Sequence, residues 1–380
     1  MKGANKKIII VGAGPVGCYL GQLLKQQGFD PLLLEEHAEI GRPVQCAGIV
    51  GRGIFEETRF PISQKSIQNT IDGSHVHFNG SSFVLNRGRV AYIIDRAVFD
   101  QELSKGLRVE FNTHVQQVSQ IKSGFILKTN NGEYYADLVI GADGPNSRVR
   151  KSLEFSSDMK LYRGYQYRIK LEPRHQNMVE VHYVKPFSLF TWVIPEGNGT
   201  VRIGTISPNP YQELNGFIEK IGYKGEVLEK NAGAIPIGTC QLVKGQAALV
   251  GDAACQIKPI TSGGIYYGIK SAELLAEAIK ENDLGLYDRR WKEEFEQEIR
   301  ICLLTRNVLE NMDDNVLKKV FTYVKDNATL IEKIGDFENH SSILWSLVFN
   351  PRTYPTIGSL LMGMAKNPKF ILRSLLRSPR

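Results

Sequence analysis

The sequence predicts an α/β protein: a helix-covered parallel sheet, interrupted by an antiparallel β-rich insertion and followed by a helical C-terminal segment. Short apolar runs alternate with helical patterns near the N-terminus, which is typical of a parallel sheet. Alternating runs such as GYQYRIKLE and TVRIGTI fill the middle of the chain and predict antiparallel strands. From about residue 286, YDRRWKEEFEQEIRICLLTRNVLENM has the periodicity of helices.

Length and composition indicate an ordinary globular protein with more than one structural unit. The chain has 380 residues, of which 42% are hydrophobic and 23% are charged. No apolar run reaches the length of a membrane-spanning helix. The five cysteines form no CxxC pair, which favours a reducing, cytoplasmic setting without a zinc or iron–sulfur site.

The N-terminal stretch KKIIIVGAGPVGCYLGQLLKQQGFDPLLLEE predicts a strand–turn–helix–strand unit. Residues 7–11 form the first strand, a helix runs to about Gln27, and residues 31–35 form the second strand. The apolar stretch is short and leads directly into a glycine pattern, so it is not a signal peptide. This context makes the glycine pattern at the turn specific for dinucleotide binding.

Each residue of the turn has a physical reason to bind a dinucleotide. Gly12 permits the tight turn, Gly14 lets the backbone approach a pyrophosphate, and Gly17 lets helix and strand pack closely. The N-terminus of the helix that follows the turn, near Pro15, offers free N–H groups and the positive end of its dipole to the phosphates. Glu35, at the end of the second strand, is placed to accept hydrogen bonds from ribose hydroxyls.

Two later stretches restrict the cofactor. GADGPNSRVR at 141–150 follows one predicted strand, and GDAA at 251–254 follows another. Gly263 and Gly264 then precede a long predicted helix. With these three fingerprints in order, the chain resembles the glutathione-reductase-like FAD proteins, in the group that contains aromatic hydroxylases, halogenases and geranylgeranyl reductases.

The resemblance implies a Rossmann-type FAD-binding domain and assigns roles within it. Asp143 and Gly144 would lie near the flavin and its electron donor, and Asp252 would bind the ribitol chain. Gly264 and Ile265 would present backbone amides to the pyrophosphate or the isoalloxazine edge. Gly263 would lie beside them.

Two further elements favour the geranylgeranyl reductase branch. GRPVQCAG at 41–48 is similar to that family's P-x-x-C-G element, with alanine in place of its glycine. YIIDRAVFDQEL at 92–103 is similar to its v-x-R-x-x-F-D-x-x-L element. The resemblance adds these residues to the cofactor site: Cys46, Ala47, Gly48, Arg96 and Val115.

The strand LFTWVIP at 189–195 predicts the substrate pocket. Phe190, Trp192 and Ile194 alternate and therefore share one face of the strand. The family's Y-x-W-x-F-P strand is similar, which implies that these side chains form the wall of a lipid pocket above the flavin. By itself, an aromatic strand of this kind is also typical of a packed core.

The predicted activity is FAD-dependent saturation of C=C bonds in a geranylgeranyl or other isoprenoid chain of a lipid or prenyl diphosphate. An isolated alkene has no carbonyl to polarise, so the protein would act by positioning the bond and excluding water. Cys46 is the candidate proton source, although it is equally well read as a small buried thiol. Tyr266 and Tyr267 are weaker candidates.

Two other functions use the same residues. Flavin halogenases carry W-x-W-x-I-P, which Ile194 and Pro195 also fit, but no motif locates the lysine that halogenation needs. Monooxygenases of the group usually continue GDAA with histidine and a proline pair, whereas this chain continues with Cys255 and Gln256. A non-enzymatic prenyl-lipid carrier is the third reading, but such carriers have lost the later flavin fingerprints.

The sequence identifies neither the electron donor nor the binding partner of the C-terminal tail. No second GxGxxG unit is present, so the donor would be NAD(P)H bound transiently at the flavin or reduced ferredoxin. No acid follows Glu338, and the basic tail could bind an anionic membrane surface or acidic ferredoxin, or form a solvated cap. Nucleic acid is not expected. The basic residues of this tail are Arg352, Lys366, Lys369, Arg373, Arg377 and Arg380.

The histidines do not predict a metal site. His75 and His77 flank Val76 and would share one face of a strand, but no third ligand is evident nearby. We therefore expect a solvated strand face and no bound metal.

The expected domains are discontinuous. The FAD-binding domain comprises residues 1–60, 90–155 and 240–285. The β-rich substrate domain comprises residues 61–89 and 156–239, and the helical segment with its basic tail comprises 286–380.

Overall fold

A computed structural model describes residues 6–183, 190–312 and 314–343. Its strands are β1 Ile8–Val11, β2 Leu32–Leu34, β3 Ile49–Gly51, β4 Ile67–Phe78, β5 Ser81–Ile94, β6 Arg108–Glu110, β7 Val115–Ile121, β8 Gly124–Thr129, β9 Gly132–Ala136, β10 Leu138–Gly141, β11 Lys160–Lys170, β12 Met178–Tyr183, β13 Thr191–Gly197, β14 Thr200–Ile206, β15 Glu226–Ile237, β16 Val243–Lys244 and β17 Ala247–Leu249. Its helices are α1 Pro15–Gln26, α2 Gly53–Glu56, α3 Arg96–Ser104, α4 Arg148–Ser152, α5 Pro210–Ile221, α6 Ile265–Lys280, α7 Leu284–Trp291, α8 Gln297–Asn311, α9 Asp314–Asp326 and α10 Ala328–Ile334.

The six-stranded sheet is the predicted nucleotide-binding sheet. Its order is β16-β17-β10-β1-β2-β6, and β17, β10, β1, β2 and β6 run parallel. The strands β1 and β10 are buried along their whole length. Helix α1 contacts β1, and strand β8 of the small antiparallel sheet contacts β10. The carboxyl ends of β1, β10 and β17 lead into the glycine turn, GADGPNSRVR and GDAA, so the three fingerprints meet at one edge.

The eight-stranded sheet combines two separate insertions. Its order is β15-β11-β14-β13-β12-β4-β5-β3, so the hairpin β4–β5 joins the five strands β11 to β15. The sheet was expected to be antiparallel, and it is except where β12 pairs with β4 in parallel. That parallel pair is where the two insertions meet, since a strand from a distant part of the chain need not reverse direction.

The predicted domain boundaries remain predictions, and the structure shows where strands cross them. The boundary between residues 89 and 90 falls inside β5, which stays in the eight-stranded sheet to Ile94. Strand β3, placed in the FAD-binding domain by sequence, forms the edge of the same sheet. The small antiparallel sheet β7-β8-β9 lies between α3 and β10 in the chain.

The C-terminal part of the described chain is helical, as predicted. Helices α7 to α10 follow α6, and α10 contacts β5. Within the described ranges, no helix is long and apolar enough to cross a bilayer. The predicted basic tail lies outside the described residues.

Candidate active site

One large cavity lies between the parallel sheet and the eight-stranded sheet. Its volume is about 1240 Å³. Sites for one small ligand usually measure roughly 300–1,000 Å³, so this cavity has space for a large cofactor together with a second ligand. Its lining changes along its length, from the glycine turn of β1–α1 to the apolar face of the eight-stranded sheet.

The glycine turn has the geometry that the sequence predicts. Gly12 has a φ of +98°, and a Cβ there would lie 2.4 Å from the carbonyl oxygen of Ala142. A Cβ on Gly17 would lie 2.2 Å from the carbonyl oxygen of Gly12, so α1 packs tightly on the turn. A Cβ on Gly14 would meet nothing within 4 Å, because this position faces the open cavity.

Two helix N-termini point into the cavity. Helix α1 begins at Pro15 after Gly14, and α6 begins at Ile265 after Gly264. Neither helix has a side-chain cap, so amides of both first turns are available to a ligand. Free amides and the positive ends of two helix dipoles make this part of the cavity suited to phosphate and to an electron-rich ring.

Glu35 is buried at the end of β2 and connects the second strand to the glycine turn. One carboxylate oxygen accepts a hydrogen bond from the Ala13 N–H at 2.8 Å. The other accepts from the N–H of His37 at 3.0 Å and lies 2.6 Å from His37 Nδ1. A carboxylate has about four lone-pair sites, so Glu35 can still accept from a ribose hydroxyl.

Two further carboxylates lie at the carboxyl ends of β10 and β17. Asp143 Oδ2 accepts from the Arg148 N–H at 2.6 Å, whereas its buried Oδ1 has no partner among the described residues. Burial raises the pKa of Asp143. Burial also raises the pKa of Asp252 to about 6, although the Arg96 charge opposes this change. Both Asp143 and Asp252 line the cavity, where a hydroxyl-bearing cofactor would find them as hydrogen-bond acceptors.

The Cys46 loop lies along the middle of the cavity. Cys46 Sγ accepts a hydrogen bond from the Gly48 N–H at 3.3 Å and interacts with the Arg96 guanidinium. Arg96 also makes a two-point ion pair with Asp100, with Nη2 and Oδ2 2.9 Å apart. Burial disfavours the charged form of Arg96, but the Asp100 carboxylate and the Cys46 side chain outweigh it and raise the pKa of the guanidinium.

Side chains of the eight-stranded sheet hold this loop in place. The Cys46 carbonyl accepts from Gln166 Nε2 at 3.2 Å and from Arg202 Nη1 at 3.3 Å. Arg202 is itself paired with buried Glu196. Asn231 Nδ2 donates to the Val44 carbonyl at 2.5 Å. The substrate-side sheet therefore positions a loop that belongs to the cofactor side, which the sequence did not reveal.

The predicted substrate strand lies against the cavity. Phe190, Trp192 and Ile194 all line it, next to one another on β13 and the residue before it. The Trp192 Nε1–H donates to Gln166 Oε1 at 3.1 Å, which links the indole to the hydrogen bonds of the Cys46 loop. A Cβ on Gly204 would lie 2.3 Å from the indole, so this glycine makes space for the ring.

The C-terminal segment closes the cavity from the other side. Phe337, Glu338 and His340 line it after α10. Lys258 Nζ donates to Glu338 Oε2 and to the Phe337 carbonyl, both at 2.9 Å. Burial lowers the pKa of His340 to about 4, so the imidazole is neutral. No sequence signal pointed to these residues, because they lie 80 positions from Lys258 and are joined to it only by the fold.

The sequence-predicted residues converge on the cavity, while their roles remain predictions. Gly17 and Gly48 are the exceptions, since both are packed against protein atoms behind the surface. Tyr266 lines the cavity, but Tyr267 is buried against Trp291 and Phe295 and does not. The predicted residues that line the cavity are Gly12, Gly14, Pro15, Glu35, Cys46, Ala47, Arg96, Val115, Asp143, Gly144, Phe190, Trp192, Ile194, Asp252, Gly263, Gly264 and Ile265.

Comparison with known proteins agrees with this geometry. A family model described as pyridine nucleotide-disulphide oxidoreductase matches residues 9–163. An uncharacterised protein of Methanocaldococcus jannaschii is 30% identical over 364 residues, which cover 88% of this chain and 93% of that protein. A digeranylgeranylglycerophospholipid reductase of Methanosarcina acetivorans is 26% identical over 388 residues, covering 90% of this chain and 95% of the reductase.

A solved structure has the same fold. The geranylgeranyl bacteriochlorophyll reductase-like protein of Thermoplasma acidophilum superposes with a TM-score of 0.77 at 24% identity, covering 87% of this chain and 96% of that one. The relatives match nearly the whole chain, and the three flavin fingerprints line one cavity. The chain therefore belongs to the geranylgeranyl reductase family of FAD-dependent oxidoreductases.

Proposed function

We propose that this protein uses FAD to saturate C=C bonds in the isoprenoid chain of a lipid or prenyl diphosphate. One observation carries the proposal: a single cavity joins a phosphate-binding turn to a wall of large apolar side chains. The first feature suits a dinucleotide and the second suits a long hydrocarbon chain. The relatives named as digeranylgeranylglycerophospholipid reductases support the same substrate class.

The residues of the polar end fit FAD. The α1 N-terminus would bind the pyrophosphate, Glu35 the adenosine ribose, and Asp252 the ribitol chain. The α6 N-terminus, with its free amides at Ile265 and Tyr266, would face the flavin ring. When bound and reduced, FAD supplies hydride to one carbon of the double bond.

The apolar end would orient the chain and exclude water. Trp192 and Phe190 form an aromatic pair with ring centroids 5.9 Å apart, and Ile194 continues the same face. Each apolar contact removes hydrocarbon from water, at roughly 25 cal/mol per Å² of buried area. An alkene has no polar group that the protein could bind. The fit of the chain against these apolar side chains is therefore the means by which the protein would choose one double bond.

Cys46 is our candidate for the group that gives a proton to the second carbon. Its thiol lies on the cavity surface beside the Arg96 guanidinium. The thiol would give its proton to the carbon, and this positive charge would face the sulfur that remains. Hydrogen bonds from Gln166 and Arg202 to the Cys46 carbonyl would keep the thiol in position during the reaction.

The source of electrons is part of the proposal. The sequence has one glycine-rich dinucleotide turn, so NAD(P)H would bind only transiently at the flavin face, or a reduced ferredoxin would deliver the electrons. The basic tail after Glu338 would attract an acidic ferredoxin or an anionic membrane surface that carries the lipid substrate. We propose a cytoplasmic protein that binds membranes peripherally.

Anaerobic turnover tests the function directly. The holoprotein is reduced with dithionite without oxygen, a geranylgeranyl lipid is added, and flavin absorbance and product mass are followed. We expect reoxidation of the flavin together with a mass gain of two hydrogens for each reduced bond. A flavin that stays reduced with the lipid and reoxidises only with oxygen would contradict the proposal.

One observation favours halogenation as a second candidate. Lys258 lines the cavity and would be the lysine that halogenation needs. Its Nζ is bonded to Glu338 and to the Phe337 carbonyl, so the amine is engaged rather than free to bind hypohalous acid. Oxygen, halide and an electron-rich aromatic substrate would separate the two candidates, since only a halogenase would yield a halogenated product.

A further inference from the structure

The face of the β4–β12 pair that points away from the cavity carries a cluster of histidines. Val76 and Val181 are paired in register and line the cavity. Because side chains alternate along strands, their neighbours lie on the opposite face. There, register pairs Glu180 with His75 and His182 with His77. Of the seven histidines in the chain, four lie together here: His75, His77, His175 and His182.

Three side chains of this cluster could share one ion. The nearest ligand atoms of His77, Glu180 and His182 all lie within 4.8 Å of one another. The His77 and His182 rings stack with centroids 4.3 Å apart, and His182 Nε2 lies 3.0 Å from Glu180 Oε2. The sequence did not reveal this group, because β12 brings Glu180 and His182 from a distant part of the chain.

One buried histidine nitrogen of this cluster is available to a ligand. His77 Nε2 is buried from solvent and has no hydrogen-bond partner among the described residues. An imidazole nitrogen without a hydrogen-bond partner can offer its lone pair to a metal ion. A buried polar atom without a partner is costly, and a metal ion would satisfy it.

The Glu180 carboxylate is also suited to binding an ion. Glu180 is buried, and its two oxygens lie within hydrogen-bonding distance of His182 Nε2 and the Tyr223 hydroxyl. The Tyr223 hydroxyl donates to Oε1 at 2.7 Å, which leaves Oε2 toward the histidines. A second hydrogen bond that orients a ligating carboxylate is typical of protein metal sites. Arg174 lies over the Tyr223 ring at 4.5 Å and is the cation that would compete with an ion here.

We propose that His77, Glu180 and His182 bind one divalent ion of the Zn²⁺ class. Two imidazoles and a carboxylate are the ligands that Zn²⁺ accepts, with water completing four-coordination. Ligand atoms on one tetrahedral Zn²⁺ lie roughly 3.3 Å apart. The three side chains, whose ligand atoms lie within 4.8 Å of one another, would therefore rotate toward the ion on binding. The ion replaces the hydrogen between His182 Nε2 and Glu180 Oε2.

Such an ion would stabilise the wall of the cavity from behind. It would cross-link β4 to β12, the parallel pair at which the two insertions join. The valines on the other face of the same strands line the cavity. We therefore assign the ion a structural role, separate from the redox chemistry, and a ligand that binds only the folded state raises its thermal stability.

Co²⁺ substitution tests this site on the holoprotein. Protein purified without a histidine tag is treated with chelator, titrated with Co²⁺, and read by difference absorption in the d–d region. We expect one Co²⁺ per chain with four-coordinate bands, displaced by Zn²⁺, and a higher melting temperature with Zn²⁺. His77→Gln and His182→Gln should each weaken binding about tenfold or more, since each removes one of only three protein ligands.

Two control variants make the result specific. His75→Gln changes a histidine on the same strand and face that is outside the ligand set, so we expect roughly unchanged affinity. Cys302→Ser changes the second group that could hold an ion, formed by Glu298, Cys302 and His340. Equal affinity in wild type and His77→Gln, or loss of binding in Cys302→Ser alone, would overturn the assignment whether or not the protein reduces isoprenoids.

Discussion

The two ends of the cavity are lined by different kinds of chemical group. At the polar end, the contacts come from backbone amides, glycines and three carboxylates, most of them within a few residues of a strand end. At the apolar end, the contacts come from side chains of β13 and of the segment after α10. The polar end therefore depends on local backbone geometry, and the apolar end depends on tertiary packing.

This difference predicts how each end responds to mutation. A backbone site has little tolerance, because one added methyl group can displace the ligand or the turn. An apolar wall loses affinity in proportion to the contact area removed. Variants at the polar end should therefore change cofactor binding sharply, and variants at the apolar end should change substrate affinity gradually.

The largest effect is expected at the glycine turn. Gly12→Ala places a Cβ 2.4 Å from the Ala142 carbonyl at a φ of +98°, so the apoprotein itself should be destabilised. The left-handed backbone alone costs roughly 1–2 kcal/mol, and the clash adds to it. Gly14→Ala is the matched variant, since its Cβ meets no protein atom within 4 Å.

The pair separates folding from cofactor binding. Gly14→Ala should keep the melting temperature of the apoprotein and lose FAD affinity about tenfold or more, because its methyl group occupies the approach to the pyrophosphate. Melting curves of the apoproteins and FAD titrations measure both quantities. A Gly14→Ala protein that binds FAD like wild type would show that the phosphates lie elsewhere.

Cys46 lies where the two ends meet, and its replacement should have the next largest effect. If its thiol supplies the proton, Cys46→Ala should lower the single-turnover rate about 100-fold, the usual contribution of a general acid. FAD affinity should change little. Cys240→Ala removes a thiol outside the cavity lining and should react like wild type. Product formation would be measured by rapid quench. An unchanged rate in Cys46→Ala would show that Cys46 has only a structural role.

The apolar end should show a graded loss. Trp192→Ala removes the largest side chain of the wall and should raise KM for a geranylgeranyl lipid about 10–30-fold, from about 2 kcal/mol of lost apolar contact. FAD binding should stay within about twofold of wild type, since Trp192 lies on the eight-stranded sheet. Tyr211→Ala is the control, because that ring is 56% exposed and lies outside the cavity lining. Equal KM values in all three proteins would remove Trp192 from the substrate site.

The smallest expected effect is a pH dependence of the apoprotein. Burial raises the pKa of Asp252 from 3.8 to about 6, so between these values the folded state binds a proton that the unfolded state lacks. Stability from this group is therefore gained as pH falls from about 6 to about 4 and lost as pH rises through 6. Asp252→Asn should remove this slope, which amounts to about 2 kcal/mol over the window. Denaturant titrations at both pH values would contradict the assignment if the two proteins had equal slopes.

The polar end could be predicted from sequence for a physical reason. Tight turns, free helix amides and a carboxylate at a strand end each need particular residues at fixed spacing, as in Gly12, Gly14 and Glu35. The strand–helix–strand unit, the late fingerprints and the alternation of Phe190, Trp192 and Ile194 could all be recognised in this way. For the same reason, the fold class was predicted correctly.

Other features arise from register and packing, which local patterns do not encode. The contacts of Gln166 and Arg202 with the Cys46 carbonyl join positions more than 100 residues apart. The cavity lining by Phe337 and His340 depends on how α10 meets β5. The histidine cluster depends on the parallel pairing of β12 with β4, which is exceptional in its sheet.

A series of substrates of different chain length would show whether one cavity binds FAD at its glycine end and an isoprenoid chain along its apolar wall. KM would be measured for matched geranyl, farnesyl and geranylgeranyl substrates, with wild type and Trp192→Ala. We predict that KM of the wild type falls with each added isoprene unit, since each unit buries more hydrocarbon, and that Trp192→Ala flattens this trend. A KM that is the same for geranyl and geranylgeranyl substrates would contradict the account.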